Sequence, residues 1–255
     1  MTRRYLPPAL VFVAILVVWE VGVNAAGIQG FLLPPPSRII ASVQSEWAVI
    51  WPAGLFTLRE ALGGLLGGTA LAVLAGFAVA RWSLIRAGAL PFAIAAGSAP
   101  IIALAPITNQ WFGITNPVAK MSVVGVMVFF PVMINLVRGL TDVGAGKLEL
   151  MHSYAAPDRA TLLKVRLPNA LPYLLSALRV AVALCLIGAI VTEYFGGSRA
   201  ALGVYISQQA SLTRMAEAWA GIVVVMLFGG ALQLLIVLAE RILLPWHPSR
   251  RAASG

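Results

Sequence analysis

The chain has 255 residues, of which 60% are hydrophobic and only 11% are charged, and its formal net charge is +9 at pH 7. Because a soluble domain carries roughly 25% charged residues, this composition excludes an ordinary globular protein and predicts an integral membrane protein. The single cysteine, Cys185, excludes a disulfide framework within the chain and a cysteine-based metal cluster.

The apolar residues fall into six runs of about twenty residues, the length that an α-helix needs to cross roughly 30 Å of hydrocarbon. The runs lack the alternation of barrel strands, so helices must do the spanning. We therefore predict one all-α integral membrane domain over residues 1–255. Its six predicted transmembrane helices cover about residues 6–26, 61–80, 88–107, 118–137, 172–193 and 218–239.

The first run follows Arg3 and Arg4, which gives it the look of a secretory or twin-arginine signal. Five further apolar runs follow, so an uncleaved first span is the simpler interpretation. Glu20 comes late in this run, where it can reach the outer interface, and we interpret it as structural. The prolines at 34–36 end any helix, and residues 38–50 are predicted to form a short helix along the outer surface.

Glycines crowd the second span at spacings of four residues. The pairs Gly63/Gly67 and Gly64/Gly68 would let a second helix approach closely. This pattern predicts helix packing within the chain more often than an interface between subunits.

The third span contains three prolines, each of which removes a backbone donor and is expected to bend the helix. Broken helices inside membranes often line a pathway, although a bend can also serve packing alone. Both interpretations remain open for residues 98–111, and also for the fourth span, where Pro131 and Asn135 lie.

Lysine and arginine are retained on the cytoplasmic side of membrane proteins. With the N-terminus inside, twelve Lys or Arg residues fall on the cytoplasmic side and five on the outer side, while Arg179 falls within a span. We therefore expect both termini in the cytoplasm of a multi-pass membrane protein. The positive charge then reports topology, and no nucleic-acid partner is needed to explain it.

Residues 147–168, here called the charged island, interrupt the apolar pattern with two acids, four Lys or Arg residues and one histidine. The spacing predicts two short helices broken at residues 155–157, with Pro157 at the first position of the second helix and Asp158 at its positive end. Pro168 and Pro172 are expected to redirect the chain into the fifth span. Taken alone, such a hairpin could also be a simple interfacial anchor.

The island resembles the cytoplasmic loop of permease subunits of binding-protein-dependent ABC importers, especially the sulfonate, taurine, nitrate and thiamine-precursor group. That loop reads E-A-A, three residues, G, about nine residues, then apolar-x-Leu-Pro. Here Glu149 stands for the acid, Ala155 replaces the glycine and residues 165–168 form the closing element. Alanine at that position would cost on the order of 1 kcal/mol if the backbone has positive φ there. Flanking matches extend the resemblance to essentially the whole chain.

The resemblance implies a type I ABC importer permease fold and a pathway for a small polar solute. It implies four kinds of partner: a second copy of the permease, two ATPase subunits, an extracytoplasmic solute-binding protein and membrane lipid. ATP and Mg would bind to the ATPase, with no cofactor on this chain. Residues 144–147 look like part of a phosphate loop, but Thr141 and Leu148 occupy positions that need glycine and a hydroxyl residue, so we predict no ATPase site and no enzyme.

Two sets of site residues follow from these interpretations, and neither includes a catalytic or metal-binding residue. The predicted ATPase-coupling residues are Glu149, Tyr154, Ala155, Ala156, Asp158 and Arg159. The candidates for lining the pathway are Ser98, Pro100, Pro106, Asn109, Asn135 and Glu193.

Two other functions were weighed against an importer subunit. A stand-alone secondary transporter usually needs acids in mid-membrane, whereas Glu60, Glu193 and Glu217 fall near outer span ends, where Arg59 could pair with one of them. An intramembrane serine protease needs a membrane-embedded base, and both histidines fall outside the spans.

The outer segment 196–212 is a candidate gate or binding-protein contact, or else an ordinary loop. The pattern of residues 105–111 favours a thiamine-pyrimidine or riboflavin-type solute, with a sulfonate- or nitrate-like anion as the alternative.

Overall fold

The structure, a computed structural model, describes residues 2–244, which are almost entirely helical and contain no strand. This confirms the predicted all-α class. The ten α-helices of this part of the chain are α1 (Thr2–Ala25), α2 (Pro36–Arg81), α3 (Ser83–Gly97), α4 (Ala105–Phe112), α5 (Pro117–Thr141), α6 (Ala145–Ser153), α7 (Asp158–Thr161), α8 (Leu167–Tyr194), α9 (Leu202–Ser211) and α10 (Met215–Leu243).

Five of these segments are long and apolar enough to cross a membrane, and a bent pair supplies the sixth. The bent pair is α3 followed by residues 101–112, which turn by 79°. The bend expected at the prolines of this span is found at one of the three. The chain breaks at Pro100 and passes through a 3-10 turn, Ile101–Leu104, whereas α3 continues through Pro91. Pro106 lies in the first turn of α4, where a missing N–H is tolerated.

The second span belongs to one helix of 46 residues, α2, about 69 Å long at 1.5 Å per residue. The separate surface helix predicted at 38–50 is wrong, because Pro36 starts the helix and no break follows before Arg81. At its start, the Glu20 carboxylate accepts hydrogen bonds from the Ser37 N–H (2.9 Å) and hydroxyl (2.8 Å). An acid at a helix N-terminus is electrostatically favourable, so Glu20 has the structural role expected for it.

Helix α5 lies at the centre of the bundle and packs mainly against α2 and α8. Three of the glycines in α2 make this packing close. A Cβ added at Gly68 would lie 2.4 Å from the carbonyl oxygen of Gly125, and one at Gly64 would lie 2.5 Å from the Val124 side chain. A Cβ at Gly63 would lie 2.6 Å from the Met121 side chain, so the predicted packing role holds for three of the four glycines, and Gly67 has no neighbour within 4 Å.

The second half of the charged island does not turn into the fifth span. Asp158 to Tyr194 forms one helical segment of 37 residues, with a π-helical turn at Leu162–Arg166. Pro168 would clash with the carbonyl of residue 164 in a regular α-helix, and we attribute the wider turn to this proline. Pro172 is accommodated inside α8. The redirection expected at these two prolines is therefore wrong.

Candidate functional site

Side chains at the start of α8, just after the charged island, bond to the end of α5, just before it. The Asn169 amide donates to the carbonyl oxygens of Gly139 (2.8 Å) and Asp142 (3.0 Å) at the end of α5. These carbonyls belong to a helix C-terminus, which has no partners of its own. The Tyr173 hydroxyl donates to the Asp142 carboxylate at 3.0 Å. The two central helices that the island connects are therefore bonded to each other at its base.

The predicted coupling residues lie in α6, in α7 and in the turn between them; residues 154–159 are here called the tip. Glu149, Ala155, Asp158 and Arg159 are exposed, and Ala156 is half-buried. Tyr154 is 74% exposed, which is unusual for a large aromatic side chain. An exposed aromatic beside charged residues is the composition of a protein–protein contact.

Ala155 has a left-handed backbone, with φ of +47°. It follows α6, and its N–H and that of Ala156 donate to the carbonyl oxygens of His152 and Met151. A residue with positive φ just past a helix is usually glycine. The position at which the resembling loops carry glycine is thus one that favours glycine. The second helix begins at Asp158, with Pro157 just before it rather than inside it.

A cavity of about 260 Å³ lies beside the break in the third span. Pro100, Met127, Pro131 and Leu184 are among its lining residues. Leu184 comes ten residues before the end of α8, which places the cavity about 15 Å along that helix. The cavity is therefore near the middle of a hydrocarbon layer of roughly 30 Å.

The other predicted pathway residues are dispersed. The Ser98 hydroxyl donates to the Ala95 carbonyl (2.7 Å) and the Asn135 amide to the Pro131 carbonyl (2.8 Å), so both are occupied by their own helices. Asn109 and Glu193 come together elsewhere, in a group of buried side chains. This group, here called the buried polar cluster, consists of Thr57, Glu60, Asn109, Lys120 and Glu193.

Glu193 ties three elements together within the cluster. Its carboxylate accepts hydrogen bonds from the Thr57 hydroxyl (2.7 Å) and from the Gly203 N–H (2.6 Å). Thr57 also accepts a bond from the Leu202 N–H at 2.9 Å. Helices α2 and α8 and the start of α9 are therefore joined through one buried carboxylate.

Lys120 supplies the positive charge of the cluster and is 1% exposed. Its ammonium donates to Asn109 Oδ1 at 2.9 Å and to the Ile114 carbonyl, and the Asn109 amide donates to the Phe195 carbonyl at 3.3 Å. Its charge attracts both Glu60 and Glu193. Sequence reasoning placed Lys120 among the outer charges; its place in the first turn of an apolar helix was the signal that it could be buried.

The cluster lies toward the end of the bundle remote from the charged island. Glu60 precedes Arg81 by 21 residues, which is about 31 Å along α2. Glu193 is the last residue but one of α8. Arg59 forms no ion pair with any residue in the range 2–244, so the pairing suggested for it is wrong.

The segment 196–212 contains α9, whose Leu202, Tyr205 and Ile206 are buried against α2 and α10. Burial and the neighbouring Glu46 carboxylate raise the pKa of the Tyr205 phenol, so this group remains a hydrogen-bond donor. Beside it, a cavity of about 560 Å³ is lined in part by Arg199, Ser207 and Gln208. No group of residues in the described part of the chain has the composition of a metal site.

The chain is similar to known transport permeases. Residues 68–246 match the family of binding-protein-dependent transport system inner membrane components. The formylaminopyrimidine transport permease protein ThiX of Halalkalibacterium halodurans is 31% identical, over 97% of this chain and 99% of its own. The riboflavin transport system permease protein RibX of Chloroflexus aurantiacus is 28% identical, over 97% of this chain and 94% of its own.

A putative aliphatic sulfonates transport permease protein, SsuC of Bacillus subtilis, is 29% identical over 92% of this chain and 85% of its own. The fold is similar to that in a crystal structure of an amino acid ABC transporter with histidines, with a TM-score of 0.64, 17% identity and coverage of 79% of this chain and 97% of the other. The protein therefore belongs to the family of binding-protein-dependent transport system inner membrane components and is a multi-pass permease of an ABC importer.

Proposed function

We propose that two copies of this permease form the pathway, that an ATPase subunit docks on the charged island of each, and that an external binding protein delivers the solute to the opposite face. ATP and Mg bind to the ATPases, and this chain has no ATPase site of its own. The observation that carries the proposal is the exposed Tyr154–Arg159 tip on an island whose two flanking helices, α5 and α8, are bonded to each other at its base.

The bonds at this base give the proposal a mechanical basis. A soluble motor can move buried helices only through an element that resists local bending. Asn169 bonds the start of α8 to the end of α5, and the unbroken helix from Asp158 joins the island to the fifth span. Glu149 orients the loop, while Tyr154, Ala155, Ala156, Asp158 and Arg159 contact the ATPase.

The central experiment replaces Asp158 and Arg159 by alanine in a permease reconstituted with its ATPase and binding protein. We expect normal insertion and continuing ATP hydrolysis, but loss of solute uptake, because the contact that transmits motion is removed. Lys164→Ala, an exposed change on the same segment, is the control and should retain uptake.

Unchanged uptake in the double variant would refute the coupling role of the island. Uptake that needs no ATP would instead identify a secondary transporter. ATP hydrolysis that is lost together with uptake would mean that the two residues hold the ATPase in place rather than transmit its motion.

The orientation can be tested with one thiol. We propose that both termini and the island face the cytoplasm. Cys185 is buried, so Tyr154→Cys introduces the reactive site. An impermeant maleimide should label Tyr154→Cys only after cells are permeabilised, and Arg214→Cys in intact cells. Labelling of the island in intact cells would reverse the topology.

We further propose that the pathway passes the break in the third span. The 260 Å³ cavity at Pro100, near mid-membrane, supports this, since interrupted helices inside membranes line cavities or pathways. Ser98 and Pro106 flank the same break. Asn109, Asn135 and Glu193 remain candidates that would reach the pathway only in another conformation, because their side chains are occupied here.

For the solute we propose a thiamine-pyrimidine or riboflavin-type heterocycle. The relatives named for formylaminopyrimidine and riboflavin transport support this class, and both match nearly the whole chain. The sulfonate permease supports a sulfonate-like anion as the second candidate. Uptake of a labelled aminopyrimidine, competed by unlabelled riboflavin or by an alkanesulfonate, separates the two classes.

A further inference from the structure

A second cavity, of about 340 Å³, opens where the ends of α2 and α5 meet the helix that starts at Asp158. It lies at the end of the bundle that holds the charged island. Its lining combines an apolar part with a charged part. The residues used below are Phe77, Arg81, Leu140, Asp158, Leu162 and Arg166, together with Arg159.

The charged part is strongly basic. Three arginines, Arg81, Arg159 and Arg166, against the single Asp158 leave a net charge of +2. None of the three forms an ion pair with a described residue. Arginine presents a planar fork of N–H donors that matches a phosphate bidentately, so three converging arginines favour an anionic ligand with several oxygens.

The apolar part makes the cavity amphipathic. Phe77 in the last turns of α2, Leu140 at the end of α5 and Leu162 in the π-helical turn pack around one small core. A free phosphate or a purely acidic peptide leaves such a surface uncovered. A phospholipid, which joins a phosphate to acyl chains, covers both parts at once.

The cavity also lies at the depth of lipid headgroups. Trp82 directly follows Arg81 and is 54% exposed, and Leu84 is 85% exposed. Exposed tryptophan marks the boundary between hydrocarbon and water in membrane proteins, and the exposed leucine requires an apolar environment. The charge distribution assigns this end to the cytoplasmic leaflet, where basic pockets between helices recognise anionic headgroups.

We propose that this cavity binds the phosphate group of an anionic phospholipid of the inner leaflet, with phosphatidylglycerol as the probe. Arg81 and Arg166 grip the phosphate oxygens, and the apolar part holds the first carbons of the acyl chains. The lipid then links the end of the second span to the foot of the island.

The test measures spin-labelled phosphatidylglycerol bound to the purified full-length permease, with spin-labelled phosphatidylcholine as the zwitterionic comparison. The variant is Arg81→Ala with Arg166→Ala; Arg159 stays unchanged because it belongs to the proposed ATPase contact. We expect phosphatidylglycerol to bind in preference, and the double variant to weaken this by about tenfold, because two bidentate contacts are lost. Arg86→Ala in α3 with Lys164→Ala in the π-helical turn removes the same charge at nearby positions that do not line the cavity, and should weaken binding by less than about twofold.

If both double variants weaken binding equally, the lipid is held by general attraction to a basic surface and not by the cavity. If phosphatidylglycerol and phosphatidylcholine bind equally well, the proposal is overturned. Inorganic phosphate that competes as well as the lipid would identify a free anion as the ligand. If adding the ATPase releases the bound lipid and the ATPase crosslinks to residues of the cavity, the cavity is an ATPase contact and not a lipid site. If the alanine variant fails to fold, Arg81→Lys with Arg166→Lys is the substitute. It keeps the charge but removes the planar guanidinium donors, and it should still weaken binding.

Discussion

The two groups of charged residues at opposite ends of α8 are built in opposite ways. In the buried polar cluster, Glu193 and Lys120 are each 1% exposed and bond to the chain's own groups. In the charged island, Asp158 and Arg159 are exposed and form no hydrogen bond or ion pair through their side chains with any residue of the described chain. Buried charges must find partners within the fold, whereas exposed ones are free to find them in another molecule. The cluster should therefore matter for stability and the island for assembly.

The largest expected effect of this contrast is at Lys120. Lys120→Met removes the positive charge near Glu60 and Glu193 and leaves Asn109 Oδ1 and the Ile114 carbonyl without their charged donor, which should cost about 1.5–3 kcal/mol of unfolding free energy for each lost bond. The measurement is unfolding in mixed detergent micelles. Lys147→Met, at an exposed lysine of the island, is the matched control and should be near neutral. If Lys120→Met and Lys147→Met are equally stable, the buried polar cluster contributes no more to stability than the charged island does.

A smaller loss is expected at Thr57. Thr57→Val removes the hydroxyl that bonds Glu193 and the Leu202 N–H, and should cost about 1–3 kcal/mol because two buried groups lose a partner. Thr69→Val on the same helix is the control, since the Thr69 hydroxyl is buried and has no partner in the described chain. We expect that variant to be neutral or slightly stabilised in the same assay. A loss at both positions would mean that the isosteric change, not the hydrogen bonds, is responsible.

At the island, one substitution should increase stability. Ala155→Gly relieves the positive φ of +47° and should gain about 1 kcal/mol. Ala156→Gly, one residue later and outside the left-handed region, should bring no gain. Thermal unfolding of both variants checks this, and loss of assembly in Ala155→Gly would show that the loop has been aligned wrongly with its relatives.

The smallest effect on stability is expected for the variant that should abolish uptake. Asp158→Ala with Arg159→Ala should change the unfolding free energy by less than about 0.5 kcal/mol, because both side chains are exposed. A large destabilisation would make its loss of uptake a folding defect and would contradict the division between the two regions.

Sequence reasoning predicted well where a pattern is local. Runs of apolar residues predicted six spans, and the described residues contain five segments long and apolar enough to cross a membrane, or six if the bent pair is one span. The island's helix–break–helix pattern followed from Pro157 and the charged flanks. The need for glycine at position 155 also came from a local motif, and the backbone has the left-handed conformation that the motif requires. These predictions depend on neighbours within a few residues along the chain.

What sequence reasoning missed depends on residues far apart in the chain. Thr57 and Glu193 are separated by 136 positions, yet their side chains form one hydrogen bond. The residues that neighbour Lys120 in the sequence do not predict that its ammonium bonds to Asn109 or that Glu60 and Glu193 lie near it. The effect of a proline also depended on distant packing, because Pro172 lies inside a long helix, whereas the chain breaks at Pro100.

The unbroken helix from Asp158 to Tyr194 has a mechanical consequence. At 1.5 Å per residue its 37 residues form a rod of about 55 Å, with the exposed Asp158 and Arg159 at one end and the hydrogen bonds of Glu193 at the other. A tilt imposed at the tip must arrive at Glu193 unless the π-helical turn at 162–166 yields first. One helical segment thus connects the two ends of the permease, and the π-helical turn is the part of that segment where bending is expected.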